Sequence, residues 1–495
     1  MEDKKQVKRN LLMYPLGTVG RDMVYNLFAN FLLTFVLITK NLSASQLAAI
    51  TGIMVAARIF DGLNDPIMGN IIERTRTKWG KFKPWLLAGV LSSSAVVIAA
   101  FNNTGINGWP FIIYFGVIYF LYSITFTMSD ISYWGMVPAL SSDGNTRNQF
   151  TSRATLFAGI GGTLASVLIP VLTTGGMAIG GNAVTAYGTV AIIICILSPL
   201  FAMFTLIGVK ENRSDMSEPA PKISFKMIIN TIVKNDQLLW ISLIFLLQQI
   251  GNGLVIGGIG SIYIYFEFSY SGGLYSLFTM VGMSVTALLM IFYPAISRKF
   301  HRKRLMTILQ VTSIIGYGIM LAAGIIMPSI TLKFYVITLG YMLANFGQYG
   351  FYLVMMISII NTVEYNEYKY GNRAEAIISS LRPFLTKLGS AICVALTSAT
   401  YLIFRVTDIT NRISDFESQA AQKIITDTQK GQSIDNLLQT SVQKSQSTGL
   451  LIAMTVVPLA FMLASYFIYR SKYKLDESEY DRICKELELR RSSVK

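Results

Sequence analysis

Asp22, Asp61, Asp65 and Asp130 lie in stretches that otherwise have the composition of membrane-spanning helices. A carboxylate in hydrocarbon costs at least ~2.5 kcal/mol on insertion scales, so a group of them needs a purpose. Binding a cation, binding a polar substrate, or coupling the two would each supply one. Asp61 and Asp65 are four residues apart, so a helix puts both carboxylates on one face, about one turn apart. Like charges that close repel unless a cation lies between them or one is protonated. Hard cations take oxygen ligands, and Asn64 adds an amide oxygen. The pattern suits Na⁺, Li⁺ or H⁺. The competing reading is a structural ion pair with Arg58, which would neutralise one carboxylate and leave the other.

Thr127, Asp130 and Trp134 fall on one stripe of a helix. A carboxylate beside an aromatic face can hold a sugar, acid to hydroxyls and ring to the apolar face; tryptophan also anchors helices at interfaces, so packing stays open. Arg21 beside Asp22 is either self-neutralising or steers a substrate that Asp22 binds. Later in the chain, Lys387 sits mid-helix after Thr386 and needs an anionic partner, for which the first-half aspartates are candidates. Arg382, five residues earlier, points about 140° away and is free to reach substrate. Tyr352, four residues after Gln348, offers an aromatic beside an amide, with bundle packing as the commoner role of a lone tyrosine. His301 is the only histidine and lies in a basic loop, which excludes a histidine proton relay. The chain shows no Walker-type Gly-Lys-Ser/Thr motif and no Ser/His/Asp or Cys/His arrangement, which argues against ATP-driven transport and against hydrolysis.

These residues must be positioned by helices. Of 495 residues, 52% are hydrophobic and 14% charged, well below the ~25% charged usual in soluble proteins. The net charge of +15 does not indicate nucleic-acid binding, because Lys and Arg are confined to short loops between apolar runs. Cys195, Cys393 and Cys484 form no metal-type spacing or disulfide framework. The start reads as a retained first helix, not a signal peptide. Twelve runs can span a bilayer: 11–38, 44–71, 84–101, 110–138, 151–174, 186–208, 238–265, 273–296, 304–327, 332–361, 374–404 and 447–470. The second, fourth and tenth carry polar residues suited to a bundle interior. The expected class is therefore an all-α membrane protein, since lipid leaves no partner for unpaired backbone groups.

Basic loops around 74–83 and 298–304, against loops 102–110 and 175–187 without Lys or Arg, predict that both termini are cytoplasmic. The expected organisation is an N-terminal six-helix bundle (1–208), a cytoplasmic linker (209–237) with Pro219 and Pro221, a C-terminal bundle (238–470) and a cytoplasmic tail (471–495). Two parallel six-helix repeats around a polar cavity fit this layout. The external insert 406–446 carries Ile413, Phe416, Ala420 and Ile424 at helical spacing and is read as a surface helix or a partly disordered loop. The tail, with Leu475, Ile483 and Leu487, is read as a short helix.

The run from Asp65 to Gly69, followed by Arg76 to Trp85, resembles the hallmark of the glycoside–pentoside–hexuronide:cation symporters, the melibiose-carrier-like branch of the major facilitator superfamily. The resemblance extends to Asp130, Trp134 and Pro138, to Asn361 through Tyr365, and to Lys387 through Ser390, so it covers essentially the whole chain. It implies a major facilitator fold of twelve transmembrane helices. It also implies an inner-membrane sugar carrier driven by Na⁺, Li⁺ or H⁺ through alternating access, with no cofactor beyond that cation. By position, Asp61 and Asp65 resemble the cation-binding carboxylates, with Asn64 and Thr127 as neighbours; Asp22 and Asp130 resemble the sugar-gripping pair, Trp134 the stacking ring, and Lys387 the lysine near both sites. Arg21 falls where the best-known member has lysine, Arg153 near a helix-five arginine, Tyr352 on a tryptophan and Arg382 on a glutamine. The added positive charge of Arg21, Arg382 and Lys387 would suit an anionic sugar, although a neutral glycoside is the leading expectation. A sugar sensor without net transport and a uniporter are the other readings, disfavoured by the four aspartates; an enzyme is the remotest. The expected partners are a sugar, a monovalent cation and the bilayer, with the chain monomeric, binding no nucleic acid, and followed by no phosphotransferase-type domain after residue 495.

Overall fold

The computed structural model describes residues 4–102, 105–141, 143–211, 225–372 and 374–493. Residues 212–224 of the linker expected over 209–237, with Pro219 and Pro221, lie outside the described residues. Helices α1 (Lys4–Thr39), α2 (Ala44–Arg74), α3 (Lys83–Phe101), α4 (Gly108–Gly135), α5 (Gly144–Thr173) and α6 (Ala183–Gly208) come first. Then follow α7 (Phe225–Lys234), α8 (Asp236–Leu254), α9 (Gly260–Glu267), α10 (Gly272–Lys299), α11 (Arg302–Ile326), α12 (Ile330–Tyr370) and α13 (Glu375–Ile403). The last are α14 (Val406–Ala421), α15 (Asp427–Ser441), α16 (Lys444–Lys472) and α17 (Glu477–Ser493).

Among the described residues, twelve helical stretches are long and apolar enough to cross a membrane: α1 to α6, α8, α10 to α13 and α16. The polar second, fourth and tenth runs are among them, as α2, α4 and α12. Their ends carry local signals. Ser43 and Gln46 form a reciprocal capping box at the start of α2. Gly371 closes α12 in the left-handed region, at φ 76°, where a side chain would be strained. The run expected at 238–265 is α8 continued through one wide turn, Val255–Ile259, into α9; Gly258 at φ 132° makes that turn.

The chain divides into two compact units. The first comprises Met1–Lys222, Ile264–Leu277 and Tyr401–Gln443; the second comprises Ile223–Tyr263, Phe278–Thr400 and Lys444–Lys495. The insert after α13 thus groups with the first unit, as the two helices α14 and α15. Ile413 and Ala420 are buried while Ile424 is exposed. Asn411 exchanges two hydrogen bonds with the Leu42 backbone, at 2.9 and 3.0 Å. Glu417 accepts from the Ala183 amide at 2.6 Å and pairs with Lys430 at 3.3 Å; Lys430 also donates to the Gly181 carbonyl at 2.6 Å. In the second unit, Leu475, Ile483 and Leu487 bury the tail helix α17 and the turn before it.

Candidate substrate and cation sites

Close helix packing places Arg21 and Asp22. A Cβ on Gly20 would lie 2.5 Å from Ser198 Cα, so only glycine lets α1 rest on the α6 backbone there. Gly161 of α5 meets the Val19 backbone in the same way, and Gly89 of α3 meets Ser129 of α4. Arg21 reaches both Asp22 and Asp130, with N–O distances of 2.8 Å in each case. Thr18 also donates to Asp22. The guanidinium lies 4.9 Å from the Tyr133 ring centroid and 5.2 Å from that of Trp134, within cation–π range. Beneath it, Tyr14 and Tyr133 stack at 4.4 Å, and each hydroxyl donates to the other's backbone carbonyl at 2.7 Å. Arg21 is buried, whereas the Asp130 side chain is 39% exposed. The arrangement therefore shows one carboxylate edge beside a half-buried indole, while the arginine fixes both acids.

Asp61 and Asp65 face α4. Ser123 donates to Asp61, and Thr127 donates to Asp65 at 3.4 Å. Both pairs have the same sequence offset of 62, as two parallel helices in register require. Arg58 stands 4.0 Å from Asp61, buried among Tyr25, Tyr119 and Tyr122. Arg58 Nε and Asn64 Nδ2 are buried without a hydrogen-bond partner. The ion pair weighed for Arg58 and Asp61 is thus long, and the site keeps unused polar capacity. Among the described residues no three His, Cys, Asp or Glu side chains gather as a divalent-metal site would need. Two carboxylates with a serine, a threonine and an asparagine instead form an oxygen-rich set suited to a monovalent cation.

The second unit carries the remaining candidates. Arg382 donates to the Tyr352 hydroxyl at 2.7 Å, and its guanidinium lies 5.9 Å from that ring. Tyr352 packs against Phe245 and Tyr349. Lys387 is half-buried and Thr386 exposed on the same helix, α13. Gln348 is buried, its backbone carbonyl accepting from Gln248 at 3.2 Å. Arg153 is exposed and donates to the Leu11 carbonyl at 3.3 Å. Leu11 precedes Arg21 by about 15 Å of helix, so Arg153 is not drawn into the Arg21 cluster. Ser123, Thr18 and Tyr14 are the partners that sequence spacing did not single out.

The MFS/sugar transport protein profile matches residues 13–477. A lactose permease of Leuconostoc lactis is 30% identical over 424 residues, covering 80% of this chain and 63% of that protein, so this chain spans less than two thirds of its length. A raffinose carrier protein of Pediococcus pentosaceus is 28% identical, with 77% of this chain and 60% of that protein covered. An uncharacterized symporter of Bacillus subtilis, YnaJ, is 24% identical across 96% of this chain and 94% of its own. Among solved structures, a bacterial homologue of the lysosomal transporter Spinster superposes with TM-score 0.60 at 14% identity, covering 94% of this chain and 95% of that one. A D-xylose–proton symporter superposes with TM-score 0.55 at 13% identity, covering 86% and 99%. These structures share the fold and are transporters, not enzymes. With the profile spanning both units and all twelve membrane-crossing stretches, this multi-pass membrane chain belongs to the MFS/sugar transport protein family.

Proposed function

We propose that this protein is a secondary active symporter, coupling uptake of a neutral sugar to inward movement of Na⁺, Li⁺ or H⁺. One observation carries the reading: two acid-rich clusters share helices α1 and α4, the second taking its carboxylates from α2. On α4, Ser123 and Thr127 contact Asp61 and Asp65, while Asp130 and Trp134, one to two turns on, meet Arg21. On α1, Arg21 belongs to one cluster and Tyr25, one turn on, faces Arg58 in the other. A cation that draws Asp61 and Asp65 together would shift α4 and so bias the Arg21 cluster. By reciprocity, sugar on Asp22, Asp130 and Trp134 would tighten cation binding. The names of the lactose and raffinose relatives support an oligosaccharide substrate.

Uptake into proteoliposomes tests this, using a panel of glycosides with Na⁺ and pH gradients imposed separately. Accumulation should require one of the gradients and vanish in Asp61→Asn and Asp65→Asn while the protein stays folded. Accumulation persisting in both variants rules the coupling assignment out, and sugar binding without accumulation favours a sensor. A second reading, transport of an anionic sugar, rests on the exposed Arg382 guanidinium held against Tyr352. Arg21 weakens it, because that base is already taken up by two carboxylates.

A further inference from the structure

Between Gly17 and Thr39, helix α1 is buried on every side but one, and what stays accessible is a single stripe: Asp22, Tyr25, Asn26, Ala29 and Asn30. Their spacing of three and four residues puts them on one face. The stripe starts in the Arg21 cluster and runs about 12 Å along α1, two helical turns beyond Asp22. One edge is polar, with Asp22, Asn26 and Asn30; the other carries Tyr25 and Ala29. The polar edge is linked end to end. Asn26 donates to the Asp22 carbonyl at 3.0 Å, and Asn30 donates to Asn26 Oδ1 at 2.8 Å. Ser166 of α5 donates to the same oxygen at 3.4 Å, which fills it. A Cβ on Gly162 would lie 2.9 Å from the Asn26 amide nitrogen, so glycine in α5 leaves room for that amide. Among the described residues Asn30 makes one side-chain hydrogen bond, which leaves its Oδ1 and its second N–H open. Asn30 lies inside a membrane-crossing stretch, where an open amide facing lipid is costly, so these two groups face water.

We propose that Asn30 recognises the second ring of an oligosaccharide whose first ring lies on Asp22, Asp130 and Trp134, so that the substrate is a disaccharide or a longer glycoside. The proposal rests on the sugar-transport reading above and narrows which sugars it admits. One helical turn, about 5.4 Å, is close to the length of a pyranose ring, so a second ring joined to the first comes level with Asn30. Its hydroxyls can accept from the open N–H and donate to Oδ1, while Tyr25 and Ala29 offer contact for its C–H face. A monosaccharide ends at the Arg21 cluster and leaves Asn30 to water. Asn26, its oxygen already filled, offers no acceptor of its own.

Uptake of paired sugars into proteoliposomes tests it: lactose with galactose, maltose with glucose, and xylobiose with xylose. The parent should carry at least one disaccharide with a lower KM than the paired monosaccharide. Asn30→Ala should raise that KM about fivefold to twenty-five-fold, for one or two hydrogen bonds lost, and leave kcat and the monosaccharide KM unchanged. Ala29→Leu fills the stripe without removing a polar group, and should raise the disaccharide KM at least as much. Uptake of the monosaccharide, or the parent's Tm where none is carried, shows that the variants are folded. If Asn30→Ala does not fold, Ala29→Leu decides. Equal rises in KM for both sugars overturn the proposal, as does a disaccharide KM that the folded variants leave unchanged. A parent that prefers the monosaccharide of every pair overturns it too. A parent that accumulates no sugar in either gradient removes the transport reading and this proposal with it, whereas the other three results remove the proposal alone.

Discussion

Two arginine–carboxylate clusters meet neighbouring turns of α4, one from α1 and the other from α2, and they are finished differently. Arg21 contacts two carboxylates at 2.8 Å and lies against two aromatic rings, over a floor of paired tyrosines. Arg58 reaches Asp61 only at 4.0 Å, its Nε has no partner, and the Asn64 amide nitrogen has none either. Buried charge that is fully paired holds a structure in one arrangement, whereas under-paired charge keeps a cost that a ligand can relieve. On the proposed function, the closed cluster would hold the sugar-binding carboxylates Asp22 and Asp130 in place, and the open one would accept and release the cation.

The largest effect that could break this contrast is on stability. Arg21→Met removes the shared base from Asp22 and Asp130 and should cost about 3 kcal/mol, at the low end for a buried pair because Asp130 is 39% exposed. Arg58→Met replaces an under-paired charge by an apolar chain and should stay within about 1 kcal/mol of the parent. Thermal unfolding in detergent compares the two. Equal losses would mean that the 4.0 Å pair is as strong as the 2.8 Å pairs, and the contrast would fail.

Next in size is the cation effect. A cation bound only by the folded state at a hundredfold its Kd should stabilise by about 2.7 kcal/mol. The parent's Tm should rise with Na⁺ or Li⁺, or shift with pH if protons are used. Asp65→Asn should lose the rise and Asp22→Asn should keep it. A rise lost in Asp22→Asn but kept in Asp65→Asn would exchange the roles of the two clusters.

A smaller effect concerns selectivity. Arg382→Gln should leave transport of neutral glycosides within about threefold, because an exposed guanidinium bonded to a phenol contributes on the order of 1 kcal/mol or less. If the variant instead loses transport of a carboxylated sugar that the parent carries, the anionic reading replaces the neutral one.

How much of this was readable from sequence follows from what helical spacing encodes. Membrane-crossing length is a property of consecutive residues, so all twelve stretches were visible, including α2, α4 and α12 with their polar positions. The Asp61–Asp65 pair was visible for the same reason. Its partners were half visible: Ser123 and Thr127 repeat the four-residue spacing one helix pair away, and matching the two ladders would have found Ser123 beside Thr127. The Arg21 bridge was not visible, because it depends on backbone approach at Gly20, Gly89 and Gly161, which sets the register of α1 and α4 but leaves no periodic trace. The insert was ambiguous because α14 and α15 are separated by a turn through Lys423 at φ 58°, and their buried charges find partners at Gly181 and Ala183, more than 200 residues away.

That insert supplies the smallest and most local test of how burial acts on paired charge. Burial pushes Glu417 above the usual carboxylate range, while Lys430 and the Ala183 amide pull it back without cancelling the rise. The folded insert therefore keeps this proton to a higher pH than the unfolded chain does. Between about pH 4.3 and the raised value the folded state binds more protons, so its stability is fullest below that window and falls as pH rises through it. Glu417→Gln keeps the shape, removes the titration, and leaves Lys430 only the Gly181 carbonyl, at a cost of about 1 kcal/mol. Hydrogen-exchange protection of α14, corrected for intrinsic rates and followed from about pH 5 to about pH 8, should decline in the parent and stay flat, from a lower start, in the variant. A decline that persists in Glu417→Gln would assign the titration to another group. A flat parent would mean that Lys430, at 3.3 Å, outweighs burial. The 4.0 Å separation of Arg58 from Asp61 would then be the feature that distinguishes the open cluster, because a close counter-ion would suffice to hold a buried carboxylate charged.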